Sequence, residues 1–173
     1  MSDIVSRNIS YALFAEVKHG QIRLKGKLDS GAPINVFNLS AVSLFLGTDE
    51  SKIKESILRG GTPKATFKGY NGLSSTIHLC VLYNVIIDQY HFSKFYAGVS
   101  LDYPIDRDGR PVTKILLGMD LINCCEGTLA RDGSMSLSVK KPEQQKIRML
   151  DAFSTKDDTG VFVIDDVTDD LRP

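Results

Sequence analysis

The sequence has no tryptophan, and only three cysteines and six prolines among its 173 residues. Cys80, Cys124 and Cys125 form an odd set with two members adjacent, which suggests no disulfide framework. Neither sign of charge is in excess, since 21 Lys and Arg balance 21 Asp and Glu. That balance leaves no electrostatic footprint for nucleic acid or an anionic membrane surface. No apolar run reaches the roughly 20 residues that a membrane helix needs. The opening "MSDIVSRNIS" lacks the basic and apolar blocks of a secretory signal. A cytoplasmic protein is therefore expected, with neither nucleic acid nor membrane as partner. His19, His78 and His91 fall in no H-x-H or H-E-x-x-H spacing, so no metal and no cofactor is expected. G-x-S-x-G is missing, and "RGGTPK" has the wrong spacing for a phosphate loop.

What is present is a 42% hydrophobic chain, enough for a sizeable core. "YALFAEV" (11–17) and the alternating "IRLKGKL" (22–28) read as strands joined by a turn at "KHGQ". "SAVSLFLG" (40–47) reads as a short helix capped by Ser40 and stopped by Gly47. "TDESKIKESILRGG" (48–61) reads as a clearer helix, capped by Thr48 or Asp49, with Ile53, Ile57 and Leu58 on one face.

Residues 64–99 are rich in β-branched and aromatic side chains. They carry one hairpin signal at "GYNG" and another turn at Asp88-Gln89. "CEGTLARDGSMSLSV" (125–139) reads as a last hairpin turning at "RDGS". From Lys140 the chain turns polar and then acidic, with a helix expected over 143–153 and a strand over 161–164. The pattern is mostly β with short helices that interrupt rather than alternate, which argues against a doubly wound α/β fold.

Two stretches bear on function. "KLDSGAPINVF" (27–37) places Asp29 at a strand end, followed by Ser30, Gly31 and Ala32. Asp, Ser and Gly are ordinary turn formers, so the triplet alone reads as a turn. "KILLGMDLI" (114–122) sets Gly118 between an apolar strand and an apolar helix start, where a missing Cβ permits close backbone packing. Between the two lies the Asn-Gly hairpin.

In this order, "LDSGA" (28–32), "FKGYNGLS" (67–74) and "ILLGMDLI" (115–122) resemble the retropepsin-like aspartic peptidases, the retroviral-type single-lobed relatives of pepsin. The resemblance covers about residues 10–139. It implies an acid-protease fold, a closed β-barrel lobe with one or two short helices. It also implies a peptidase domain over 1–139 and a C-terminal extension over 140–173.

The resemblance makes Asp29 the catalytic carboxylate, with Ser30, Gly31 and Ala32 supporting its loop. Leu117 and Gly118 are then structural neighbours of the site. Gly69, Tyr70, Asn71 and Gly72 become a flap over bound peptide, although the residues themselves fit a plain surface hairpin equally well.

Aspartic peptidases need two carboxylates sharing one proton, and the chain holds one good motif. Asp158-Thr159-Gly160 lacks a preceding apolar strand, stands too far along for a second lobe and reads as a turn. The expectation is a homodimeric endopeptidase with a polypeptide substrate. The alternative is an inactive module on the same fold that dimerises or binds peptides. Two departures stand out. Pro33 fixes φ beside the loop, and Ser30 replaces the threonine common among relatives.

Overall fold

The structure is a computed structural model and describes residues 13–68, 74–101, 108–109, 113–129, 131 and 135–153. Strand β1 (Leu13–His19) turns at Gly20 into β2 (Ile22–Leu28). Gly20 supplies the left-handed φ of 61° that a tight hairpin asks for. β3 (Val36–Asn38) runs directly into α1 (Leu39–Leu46), and α2 (Glu50–Arg59) follows. Next come β4 (Lys64–Lys68), β5 (Ser74–Ile87) and β6 (Tyr90–Ser100). The chain continues through β7 (Ile115–Leu117), α3 (Met119–Ile122), β8 (Cys125–Leu129), β9 (Met135–Val139) and α4 (Glu143–Phe153). The fold is mostly β, with few short helices.

Six strands pair in the order β1-β2-β7-β3-β6-β5, and β5 returns to β1 to close a barrel. The closure runs through Val17↔Ile87, Lys18↔Ile86 and His19↔Val85. It is extended at the Asp88-Gln89 turn, where Glu16 N donates to Asp88 Oδ1 at 3.2 Å and Asp88 N donates to Glu16 O at 2.9 Å. Closure leaves the six-strand ring without an open edge. β4 lies outside it as a hairpin with β5, Lys68 opposite Ser74. Among the described residues no helix is long and apolar enough to cross a membrane.

Two helix readings are corrected. α1 is capped by Asn38, whose side-chain oxygen accepts from Ala41 N at 3.0 Å. Ser40 lies instead in the first turn, beside Thr113 Oγ1 at 3.1 Å. β3 passes into the helix without a linker, so its last residue is already at the capping position. In α2, Asp49 caps by accepting from Ser51 N at 3.3 Å, and Ile53 and Ile57 are buried. Leu58 faces outward at 57% exposed. At 3.6 residues per turn it stands about 140° around the helix from Ile53.

The core has two parts. One fills the barrel and includes Val17, Phe37, Leu82, Phe95, Val99 and Leu117. The other lies beneath α4 and joins Ile34, Ile77, Leu79, Tyr96, Met149 and Phe153. The expected helix over 143–153 forms over that span and buries Gln145, Met149 and Phe153, one stripe at i, i+4 and i+8. His78, expected to be packed or half-exposed, is 7% exposed and lies 3.2 Å from Thr62 Oγ1. Cys80 and Cys124 are buried and Cys125 is half-buried. Burial pushes the Cys80 thiol up to about 12, which makes it inert at neutral pH.

Candidate active site

β2 and β3 are consecutive in sequence but not neighbours in the sheet. β7 lies between them, parallel to β2 through Leu28↔Leu117 and antiparallel to β3 through Val36↔Leu116 and Phe37↔Ile115. The connection over 29–35 therefore crosses the end of β7. Asp29 and Gly118 stand side by side where two parallel strands stop.

The crossing is fastened at several points. Asp29 N donates to Leu117 O at 2.9 Å, extending the β2–β7 ladder by one bond. Ala32 N closes a turn onto Asp29 O at 3.1 Å, and Met119 N donates to Ala32 O at 2.9 Å. Gly31 N donates to Asp29 Oδ1 at 2.9 Å, so the loop's own backbone aims the carboxylate. Asp29 is half-buried, Ser30, Gly31 and Pro33 are exposed, and Ile34 and Asn35 are buried.

Gly118 is a requirement of space. A Cβ there would lie 2.6 Å from Ala32 O, and closer still to the Ile34 carbonyl. Both are main-chain atoms of the crossing loop and cannot swing aside. Its φ of −95° would suit any residue, so close approach and not conformational freedom demands glycine.

Asp29, Ser30, Gly31, Ala32, Leu117 and Gly118 are thus brought into one assembly. The flap residues Gly69, Tyr70, Asn71 and Gly72 lie outside the described residues, as do Asp158, Thr159, Gly160 and the strand expected over 161–164. The arms of the 64–78 hairpin are paired as expected. Among the described residues no group of three or more His, Cys, Asp or Glu is placed to hold a metal ion.

One feature of the assembly has no counterpart in the motif reading. Asp120 is fully buried. Its Oδ1 accepts from Asn35 N at 2.6 Å, and its Oδ2 accepts from Asn35 Nδ2 and, at 2.7 Å, from Gln145 Nε2. Burial pushes the Asp120 carboxyl above its ordinary value of 3.8, against the downward pull of these donors. The available signals were slight. Asn35 and Asp120 are polar residues inside the apolar runs "INVF" and "LLGMDLI", and Gln145 sits on the same stripe as Met149 and Phe153.

No protein-family model matches the chain, and no curated protein matches it. Among solved structures it is similar to a retropepsin-like aspartic protease from Rickettsia conorii. The identity is 19% and the TM-score 0.47, over 73% of this chain and 89% of that one.

Proposed function

We propose that the chain is a homodimeric aspartic endopeptidase in which Asp29 from each of two copies forms the catalytic pair. One observation carries this reading. Asp29 stands at the end of β2, its carboxylate oriented by Gly31 N–H at 2.9 Å, in a loop pinned across the end of β7. An ordinary surface turn does not need a glycine wedged under its backbone or a strand threaded between its two arms.

The chemistry follows from proximity. Two carboxyl groups a few ångströms apart cannot both ionise, so they hold one proton between them, and the acid-protease pair is the usual illustration of this coupling. The ionised member takes a proton from a bound water. The protonated member donates to the scissile carbonyl oxygen as the water attacks, so no covalent bond to the enzyme forms. The titration belongs to the pair and not to either residue. A single chain offers one such loop, so a two-fold axis must supply the other. Ser30, Gly31 and Ala32 carry no bulk beyond a hydroxymethyl group, which leaves the approach to Asp29 open.

The test uses the purified full chain and an unfolded polypeptide at mildly acid pH. The wild type cleaves it and is blocked by a statine-type mimic of the tetrahedral state. Asp29→Asn lowers the rate by at least about 100-fold, the scale of a lost acid-base group. Light scattering gives the mass of two chains under the same conditions. Cleavage that survives Asp29→Asn, or an active chain that stays single, defeats the proposal. Peptide binding without cleavage would favour the non-catalytic module instead.

A further inference from the structure

The proposed reaction uses the Asp29 end of the crossing loop. The other end of that loop enters a buried polar knot. Asn35, at 0% exposed, is the last residue before β3. Both its main-chain N–H and its side-chain Nδ2 are committed to Asp120. The same Nδ2 donates to Tyr96 O at 2.9 Å. Asp120 is one residue past Met119, whose own N–H holds Ala32 O. The knot and the catalytic loop are therefore one continuous piece of bonded backbone.

Gln145 completes the knot from α4. It is 1% exposed. Its Nε2 donates to Asp120 Oδ2 and to Tyr96 O, both at 2.7 Å, while its Oε1 accepts from Tyr96 N at 3.2 Å. The side chain bonds through both ends of its carboxamide, to Tyr96 on β6 and to Asp120 on α3. Had α4 only to cover apolar surface, a leucine at 145 would pack with Met149 and Phe153 and bring no polar group to desolvate. A glutamine is explained by what it touches, the buried carboxylate that grips the loop.

We propose that Gln145 is a positioning residue for the Asp29 loop, acting through Asp120 and Asn35. Without its N–H donor, the Asp120 carboxylate loses its tie to α4 and keeps only the bonds from Asn35 and the Leu121 backbone N–H, so its orientation is less tightly set. Turning it pulls on Asn35 N. The loop between Asn35 and Asp29 is short and pinned, so a shift at one end is passed to the other. Catalytic geometry is intolerant of such shifts, and a misplacement of about 1 Å can cost on the order of 100-fold in rate. The catalytic half of this inference rests on the proposed function; the coupling of α4 to the loop does not.

The experiment has two arms. In the wild type, amide hydrogen exchange is followed residue by residue in low denaturant. The Ala32 and Asn35 amides should lose protection together with α4, before the strands β5 and β6 open. Opening of α4 that leaves those two amides protected overturns the inference.

The second arm compares Gln145→Met, which keeps length and removes the side-chain hydrogen bonds to Asp120 and Tyr96. Exchange at Ala32 and Asn35 should rise about tenfold relative to β5 and β6, as expected for a lost hydrogen bond to a buried carboxyl group. Peptide cleavage should lose kcat by a similar factor with KM little changed, because loop aim and not substrate affinity is altered. Unchanged exchange at Ala32 and Asn35 in a folded variant overturns the inference. A wild type that never cleaves peptide sinks the proposed function, yet the exchange arms still decide the coupling. If Gln145→Met does not fold, the wild-type arm decides alone.

Discussion

The two cores of this molecule are built on different principles. The barrel interior is apolar and aromatic. Phe45, Phe37, Phe95 and Phe92 form a chain of ring contacts at centroid distances of 5.8, 6.0 and 5.1 Å. Such packing stabilises by the area it removes from water, and its main force has no direction. The core under α4 is also lined by apolar residues, but Asn35, Asp120 and Gln145 sit inside it with their bonds specified atom by atom. A half-satisfied network is costly in a medium of low dielectric, so this core accepts one arrangement. The first core keeps the chain folded. The second fixes where one loop sits, and that loop carries Asp29.

Substitution at Phe95 should break the first core alone, with the largest effect expected. Phe95 is fully buried and touches rings on both sides. Phe95→Ala should lower stability by about 3–5 kcal/mol, the range for buried aromatic truncations, measured by urea unfolding. The loop fastenings at Asp29 and Asn35 do not involve this ring. Activity per folded molecule should therefore hold while stability collapses. A fall in kcat matching the loss in stability would erase the distinction between the cores.

Asp120 allows a finer test, through pH. Its carboxyl is pushed up from 3.8 by burial, so the folded chain binds that proton more tightly than the unfolded chain. The folded state then holds more protons between the ordinary value and the raised one. Stability from this group is fully present below about pH 4 and falls as pH rises through the window, by up to about 1.4 kcal/mol per pH unit. Asp120→Asn cannot titrate. The stability of wild type minus that of the variant should decline with rising pH above 3.8, whatever constant offset the lost acceptor adds. Urea unfolding at a series of pH values measures it. A flat difference would mean that the hydrogen-bond donors offset the burial in full.

How much of this could be read from residue order depends on the range of each interaction. The hairpin turn at Asp88-Gln89 and the helix over 143–153 follow from neighbouring residues, and both formed as expected. The assembly of Asp29 with Gly118 was legible only through the family resemblance that the two motifs carry together, since the Asp-Ser-Gly triplet alone reads as a turn. The insertion of β7 between β2 and β3 has no local signal at all. Nor has the knot, where Asn35 and Asp120 are 85 residues apart and Asp120 and Gln145 are 25 apart. Polar residues at such distances find each other by topology, and no periodicity announces them. Capping by Asn38 rather than Ser40 was missed because the strand before α1 ends without a linker, which only the folded path reveals.

Leu58 should give the smallest effect and marks where neither core reaches. It was expected on the buried face with Ile53 and Ile57, yet it is 57% exposed beside Lys54, Glu55 and Arg59. A leucine already mostly in water gives up little apolar burial when replaced. Leu58→Lys should therefore shift stability by no more than about 0.5 kcal/mol, the usual range for surface changes. A lysine there keeps helix propensity near that of leucine and lies close to the C-terminal end of α2, where a cation is favoured. Thermal melts of the two proteins should nearly superimpose. A loss above about 2 kcal/mol would imply that this face is covered, since surface positions away from special features rarely cost so much. The accompanying measurement is molecular mass: a smaller assembly for the variant than for the wild type would mean that the covering surface is a second copy of the protein.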